Sequence, residues 1–215
     1  MLRDAFGIEA GGIDLPTFGF SERDPAARYD RTRQAERILA LTVDMAVGPV
    51  LVALCFGAGA GGEAAMMGPD RFSGLVVVDG ALGIGTEAGD KALPLWLRPE
   101  ALREVIVSAS VTNPLMTRRL LASLLYVKEA ASDEAVGILQ RPMRLTGSTE
   151  AFAAWLPSLL LPPADALSTQ EASYRALCLP TAFIWGDKDS VTPLPQGQHA
   201  AGRVRGATLT VLPEV

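Results

Sequence analysis

Hydrophobic positions along this chain recur at two periods, and the changes between them mark out its elements. Residues 30–45 carry Ala35, Ile38, Leu39, Leu41 and Val43 among Arg31, Arg33, Glu36 and Arg37, the spacing of an amphipathic helix with its charges on the polar side. Val50–Leu54 is apolar without alternation, which predicts a short strand buried on both faces. A Gly-rich helix then runs to about Met67 and stops at Gly68-Pro69. Leu75–Asp79 repeats the strand signal. Near the other end, Thr181–Trp185 reads as a strand, Pro193–Val204 as a helix and Ala207–Leu212 as a last strand. Residues 2–9 read as the tail of a helix. Ala10–Leu15 reads as a short strand entering the Gly- and Pro-containing turn Pro16–Ser21.

The rhythm breaks between residues 82 and 175. Helical stretches are predicted at Pro99–Ala109, Pro114–Tyr126 and Thr149–Leu161, with no strand among them. The chain thus divides into a core of residues 1–81 and 176–215 and a helical insertion of residues 82–175. Alternating strands and helices imply an α/β fold: a mostly parallel, doubly wound sheet covered on both faces. An insertion at the strand ends is placed to form a lid over the site where such sheets bind ligands. Most of its Met and aromatic residues, such as Met116, Tyr126, Met143 and Trp155, read as the lid's own core.

Composition narrows the class. The 215 residues are 49% hydrophobic and 20% charged, values of a well-buried globular chain. The net charge of −5 comes with no basic cluster, so nucleic acid is not an expected partner. Met45–Gly62 lacks charge over 18 positions, long enough to span a membrane, but Pro49 and five glycines break it, and no membrane association is expected. The N-terminus lacks the apolar segment of a signal peptide. Cys55 and Cys178 build no disulfide framework and fit a reducing, cytoplasmic setting. One histidine and two distant cysteines offer no metal site, and no cofactor is implied.

Chemistry concentrates at Val50–Gly59. A strand, a sharp turn and a helix start put Cys55 at an apex between small residues, Ala53 and Gly57. Such a turn is expected to leave no room for a β-carbon two positions away on either side. It also lifts the apex side chain toward the free N–H groups that open the helix.

Three segments then resemble the α/β-hydrolase superfamily, closest to its lid-bearing esterases and carbon–carbon bond hydrolases. Val50–Gly59 followed by Leu75-Val76-Val77-Val78-Asp79 resembles the nucleophile elbow and the next strand, with cysteine where serine is usual. Ile13–Glu22 resembles the D-x-P-G-x-G-x-S loop, with Thr17 at its first glycine. Ile184–Pro193 resembles W-G-x-x-D-x-x-x-P.

The resemblance implies hydrolysis of an ester or activated carbonyl in a small apolar substrate. It assigns Cys55 as nucleophile, the Phe56 N–H to the oxyanion hole and Asp189 as the acid. On the residues alone, alternatives stand beside these roles. Cys55 also reads as a small apolar filler of a tight turn, and Asp189 as a cap for the helix near Pro193. His199 lies within a helix and reads as a surface residue, not the base. The family's histidine follows a Leu-Pro-x-x-Gly-His pattern, whose first four positions match Leu212-Pro213-Glu214-Val215. The sequence therefore reads as an incomplete copy, lacking the base and the second oxyanion donor. An inactive relative with a binding or relic role is the alternative, and acyl transfer is not distinguished from hydrolysis.

Overall fold

A computed structural model describes residues 9–24, 28–45, 48–84 and 92–215. Four strands form one parallel sheet in the order β1-β2-β3-β4: β1 Val50–Leu54, β2 Gly74–Val78, β3 Thr181–Gly186 and β4 Thr208–Leu212. Helix α1 (Arg31–Leu41) precedes β1. Its Asp30 cap accepts the Arg33 N–H at 3.0 Å, which satisfies one orphan donor of the first turn. Helix α2 (Gly57–Met67) joins β1 to β2 and ends at Gly68, as its sequence predicts.

The register explains how the core is built. Ala53, Val77 and Phe183 stand level on one face, and Trp185 follows two residues after Phe183. All four are buried with Ala58, Ala60, Ala64 and Ala65 of α2. Helix α8 (Leu194–Ala201) lies on the same face, so close that a Cβ at Gly197 would sit 2.5 Å from the Trp185 ring. The Trp185 indole N–H donates to the Thr192 carbonyl at 2.6 Å, which satisfies the one polar atom of a fully buried ring.

The expectation that β1 is buried on both faces does not hold. Val50, Val52 and Leu54 are 54%, 63% and 60% exposed. An unbroken apolar run records what each face is made of, not whether a layer lies over it. Among the described residues, α2 and α8 cover the face bearing Ala53 and Trp185, and the opposite face of β1 is open. The strand expected at Ala10–Leu15 is likewise absent: residues 9–14 are exposed and irregular. Gly11 and Gly12 give that segment no side chains to pack against a sheet. The helix expected over residues 2–9 falls, apart from Glu9, outside the described residues.

Between β2 and β3 the chain is helical: α3 (Glu100–Ala109), α4 (Thr117–Leu124), α5 (Asp133–Met143), α6 (Ser148–Leu160) and α7 (Glu171–Ala176). Helices α3 and α6 share a small core of Val107, Phe152 and Ala153, against which Phe18 of the 16–21 turn packs. Helix α5 lies outside the stretches that the sequence pattern predicts. Its signal is present, since Ser132 caps it through the Ala135 N–H and Asp133 and Glu134 fill the first turn. Gly137 and Pro142 obscure its period.

Candidate active site

Two residues separate the end of β1 from the start of α2, and Cys55 makes the turn at φ +50°. A side chain in that left-handed region costs about 1–2 kcal/mol. Three backbone hydrogen bonds hold it there. The Cys55 N–H donates to Val78 O at 3.0 Å, while its carbonyl accepts the N–H groups of Ala58 (3.1 Å) and Ala81 (2.9 Å). The crowding expected at the flanking small residues is displaced. A Cβ on Gly57 would meet nothing within 4 Å, whereas one on Gly61 would lie 2.6 Å from the Ala53 Cβ. Helix α2 therefore approaches β1 most closely one turn beyond the elbow.

Cys55 and Phe56 line a cavity of about 720 Å³. One wall is the 13–20 loop with Phe18, and another comes from the helical segment through Met143, Trp155 and Leu159. Trp155 ties these walls together. Its ring meets Phe18 edge-on at 5.1 Å and Phe56 at 5.7 Å. The resemblance did not reach these aromatic contacts, because they join residues 137 and 99 positions apart.

The thiol sits in opposing influences. Burial pushes its pKa above the ordinary value, and the Phe56 N–H on the sulfur pulls it back. The charges of Asp189 and Asp79 add to the upward push. Asp79 closes β2 at φ +43° and accepts the Gly186 N–H at 2.8 Å, which ties the ends of β2 and β3.

Asp189 lies just past the end of β3, close enough to act on Cys55, but its carboxylate is turned into its own loop. One oxygen accepts the N–H groups of Val191 (2.7 Å) and Thr192 (2.8 Å), and the other the Thr192 hydroxyl. His199 is elsewhere. Its Nε2 lies 3.1 Å from Glu171 Oε1, in a surface cluster with Arg203 and Arg175, and it does not line the cavity.

Thr17, at the position of a family glycine, shows why glycine suits it. Its φ is +88°, its side chain is fully buried, and its hydroxyl lies beside that of Tyr29 without forming a hydrogen bond of good geometry. Among the described residues no cluster of three or more His, Cys, Asp and Glu is placed to hold a metal ion, and no helix is long and apolar enough to cross a membrane.

Residues 12–215 match the sequence profile of the Alpha/beta hydrolase family. The chain is 28% identical over 207 residues to a 2-hydroxymuconate semialdehyde hydrolase of Pseudomonas sp. (strain CF600), covering 92% of this chain and 66% of that protein. The enzyme of the same name from Pseudomonas putida is 25% identical over 199 residues, with the same coverage. This chain therefore spans just under two thirds of the length of these curated relatives. Among solved structures, a meta-cleavage product hydrolase from Pseudomonas fluorescens IP01 superposes with a TM-score of 0.72 at 19% identity, covering 93% of this chain and 69% of that one. The 2-hydroxy-6-oxo-6-phenylhexa-2,4-dienoate hydrolase of Rhodococcus sp. strain RHA1 does so with a TM-score of 0.67 at 18% identity, covering 93% and 70%. The parallel sheet, the strained elbow at Cys55 and the profile match over residues 12–215 agree: this chain belongs to the α/β-hydrolase family.

Proposed function

We propose that the chain is a hydrolase module for an ester or similarly activated carbonyl in a small, largely apolar substrate, with residues 82–175 as its lid. The observation that carries this reading is Cys55, held in a strained backbone conformation in the lining of a largely apolar cavity beside the first turn of α2. That the two sequence relatives are hydrolases of 2-hydroxymuconate semialdehyde supports an activated carbonyl as the reacting group.

In this reading the Cys55 sulfur attacks the carbonyl carbon and its proton passes to a base. The oxyanion is held by the Phe56 N–H, and collapse expels the alcohol or carbon leaving group to give a thioester. Water then releases the acid. Asp189 orients the base, a histidine that is not among these 215 residues, since their only histidine is engaged with Glu171. The raised thiol pKa and the distant His199 favour a second reading, in which this chain binds the carbonyl compound without turning it over.

Intact-mass analysis after incubation with p-nitrophenyl butyrate separates the two. A single butyryl adduct, absent from Cys55→Ala, supports the nucleophile. Equal p-nitrophenol release and no adduct in either protein removes Cys55 from catalysis and leaves the binding reading.

A further inference from the structure

Arg23 follows directly on the loop Ile13–Glu22 and does not itself line the cavity. Its guanidinium is surrounded by five acceptors, which uses every N–H that an arginine has. Nε donates to Ser148 Oγ at 3.2 Å. Nη1 donates to the carbonyls of Phe18 (3.4 Å) and Ser21, and Nη2 to those of Gly19 (2.5 Å) and Pro142 (3.4 Å). Phe18, Gly19 and Ser21 belong to the loop. Pro142 and Ser148 belong to the corner between α5 and α6, 119 and 125 residues further along the chain. With its donors spent, Arg23 has no edge left for a ligand anion, and what it does is hold these two segments together.

Both segments are shaped to meet at this point. Gly147 precedes α6 at φ +82°, and a Cβ there would lie 3.3 Å from the Arg23 Cβ, so a left-handed glycine lets the corner come close. The Pro142 carbonyl, in the last turn of α5, also accepts the Ser148 hydroxyl and the Leu145 N–H, each at 3.2 Å. The partial negative charge at that end of a helix favours a cation. Inside the loop, Asp14 accepts the Phe20 N–H at 2.9 Å, and its charge acts on Arg23 in the favourable sense.

The loop changes sides at Thr17. Before it, the Pro16 carbonyl accepts the Gln34 Nε2 of α1 at 2.9 Å, which holds the chain to the core. After it, the Phe18 ring packs edge-on against Phe152 (5.5 Å) and Trp155 (5.1 Å) of α6. Phe18, Gly19, Pro142 and Trp155 all line the cavity. Arg23 therefore braces two of its walls from behind, and the bonds to the Phe18 and Pro142 carbonyls set how far apart those walls stand.

We infer that Arg23 is a positioning residue that acts through Phe18: it locks the loop to the α5–α6 corner, keeps Phe18 against Trp155, and so limits the size of the compound that reaches Cys55. Lysine is no substitute, because an ammonium has fewer donors and no planar fork to span both segments. The inference rests on the cavity being the substrate site proposed above, and it adds the residue that restricts which substrates enter.

Two maleimides of unequal bulk, N-methylmaleimide and N-(1-pyrenyl)maleimide, test it through their rates of addition to Cys55 in a Cys178→Ser background. Each rate is divided by the same reagent's rate with glutathione. In the parent the pyrenyl reagent is expected to be disfavoured at least tenfold against the methyl one. Arg23→Ala should speed the pyrenyl reagent at least fivefold and leave the methyl rate within twofold, and Arg23→Lys should do the same. Phe18→Ala should give a similar gain. Adding Arg23→Ala to it should change the ratio no further, a result that a merely structural arginine would not produce. An unchanged ratio in Arg23→Ala, both rates rising together, full rescue by lysine, or gains that multiply in the double variant overturns the inference. Hydrogen exchange of the parent supplies an arm that no substitution disturbs. Residues 18–22 and 142–149 should exchange in step, and a loop that opens well before the α5–α6 corner overturns the proposal. Addition to a thiol needs only access, so a missing butyryl adduct fails the catalytic reading and leaves this one standing.

Discussion

The Cys55 N–H donates to the Val78 carbonyl at 3.0 Å, which fastens the apex of the turn to the last residue of the neighbouring strand. The thiol is thereby held where burial and the charges of Asp189 and Asp79 all disfavour its ionisation, against one N–H that favours it. Alkylation by iodoacetamide, measured in a Cys178→Ser background, should therefore rise with pH around a midpoint above that of an exposed thiol. Asp189→Asn removes a negative charge, so the midpoint should fall. A rise, or no movement, would show that the carboxylate does not reach the sulfur.

His199 belongs to the surface cluster around Glu171, so His199→Ala should leave ester turnover unchanged. The pairing is instead visible in stability. Hydrogen bonding to Arg203, chiefly, holds the Glu171 carboxyl below its ordinary pKa of 4.5. A lowered folded-state pKa stabilises the protein above the unfolded value, and that stabilisation is lost as pH falls through the folded value. The parent should lose melting temperature on the acid side more steeply than Glu171→Gln. Parallel curves would deny the cluster any role, and exposure keeps the effect small.

Thr17 combines a left-handed backbone, costing about 1–2 kcal/mol, with a buried unpaired hydroxyl worth about 1–3 kcal/mol. Glycine removes both penalties. It gives up one buried methyl at about 0.8 kcal/mol and some unfolded-state entropy at about 0.5–1 kcal/mol. Thr17→Gly should raise stability by about 1 kcal/mol in urea unfolding, with Thr17→Ala below it because alanine keeps the strain. The reverse order would mean that the Thr17 side chain packs for more than its backbone costs.

Strands β2 and β3 were legible because a run such as Leu75–Val78 has few other fates, and α2 because Gly68-Pro69 stops it. The elbow was legible as spacing, and φ +50° at Cys55 is its physical form. What the sequence could not carry was which face of β1 is covered, since Val50 and Val52 are as apolar as Leu51 and Ala53. Nor could it place Arg31, which shares its helix with the exposed Arg33 and differs only in facing Leu82 and Ser168, 51 and 137 residues away. Asp189 shows the opposite limit. Its charge acts on Cys55, yet its oxygens close the loop before α8 and do not cap that helix, an arrangement that spacing along the chain does not contain.

Two glycines of α2 separate the requirements of the elbow from those of helix packing. Gly57 opens the helix with nothing within 4 Å of a would-be Cβ and with φ outside the left-handed region. Alanine there reduces the freedom of the unfolded chain at no steric cost, so Gly57→Ala should stabilise by about 0.5 kcal/mol. Gly61 sits one turn on, where a Cβ would lie 2.6 Å from that of Ala53. The gain in helix propensity, about 1 kcal/mol, is set against pushing α2 off β1, an overpacking cost of about 1–3 kcal/mol. Gly61→Ala should therefore lose about 1 kcal/mol. Because that shift begins at the helix carrying Phe56, it should also slow Cys55 alkylation or change its midpoint, whereas Gly57→Ala should leave both alone. If Gly57→Ala proves the more damaging of the two, the small residue beside the apex is needed for something the backbone geometry does not contain, and bound substrate is then the place to look for it.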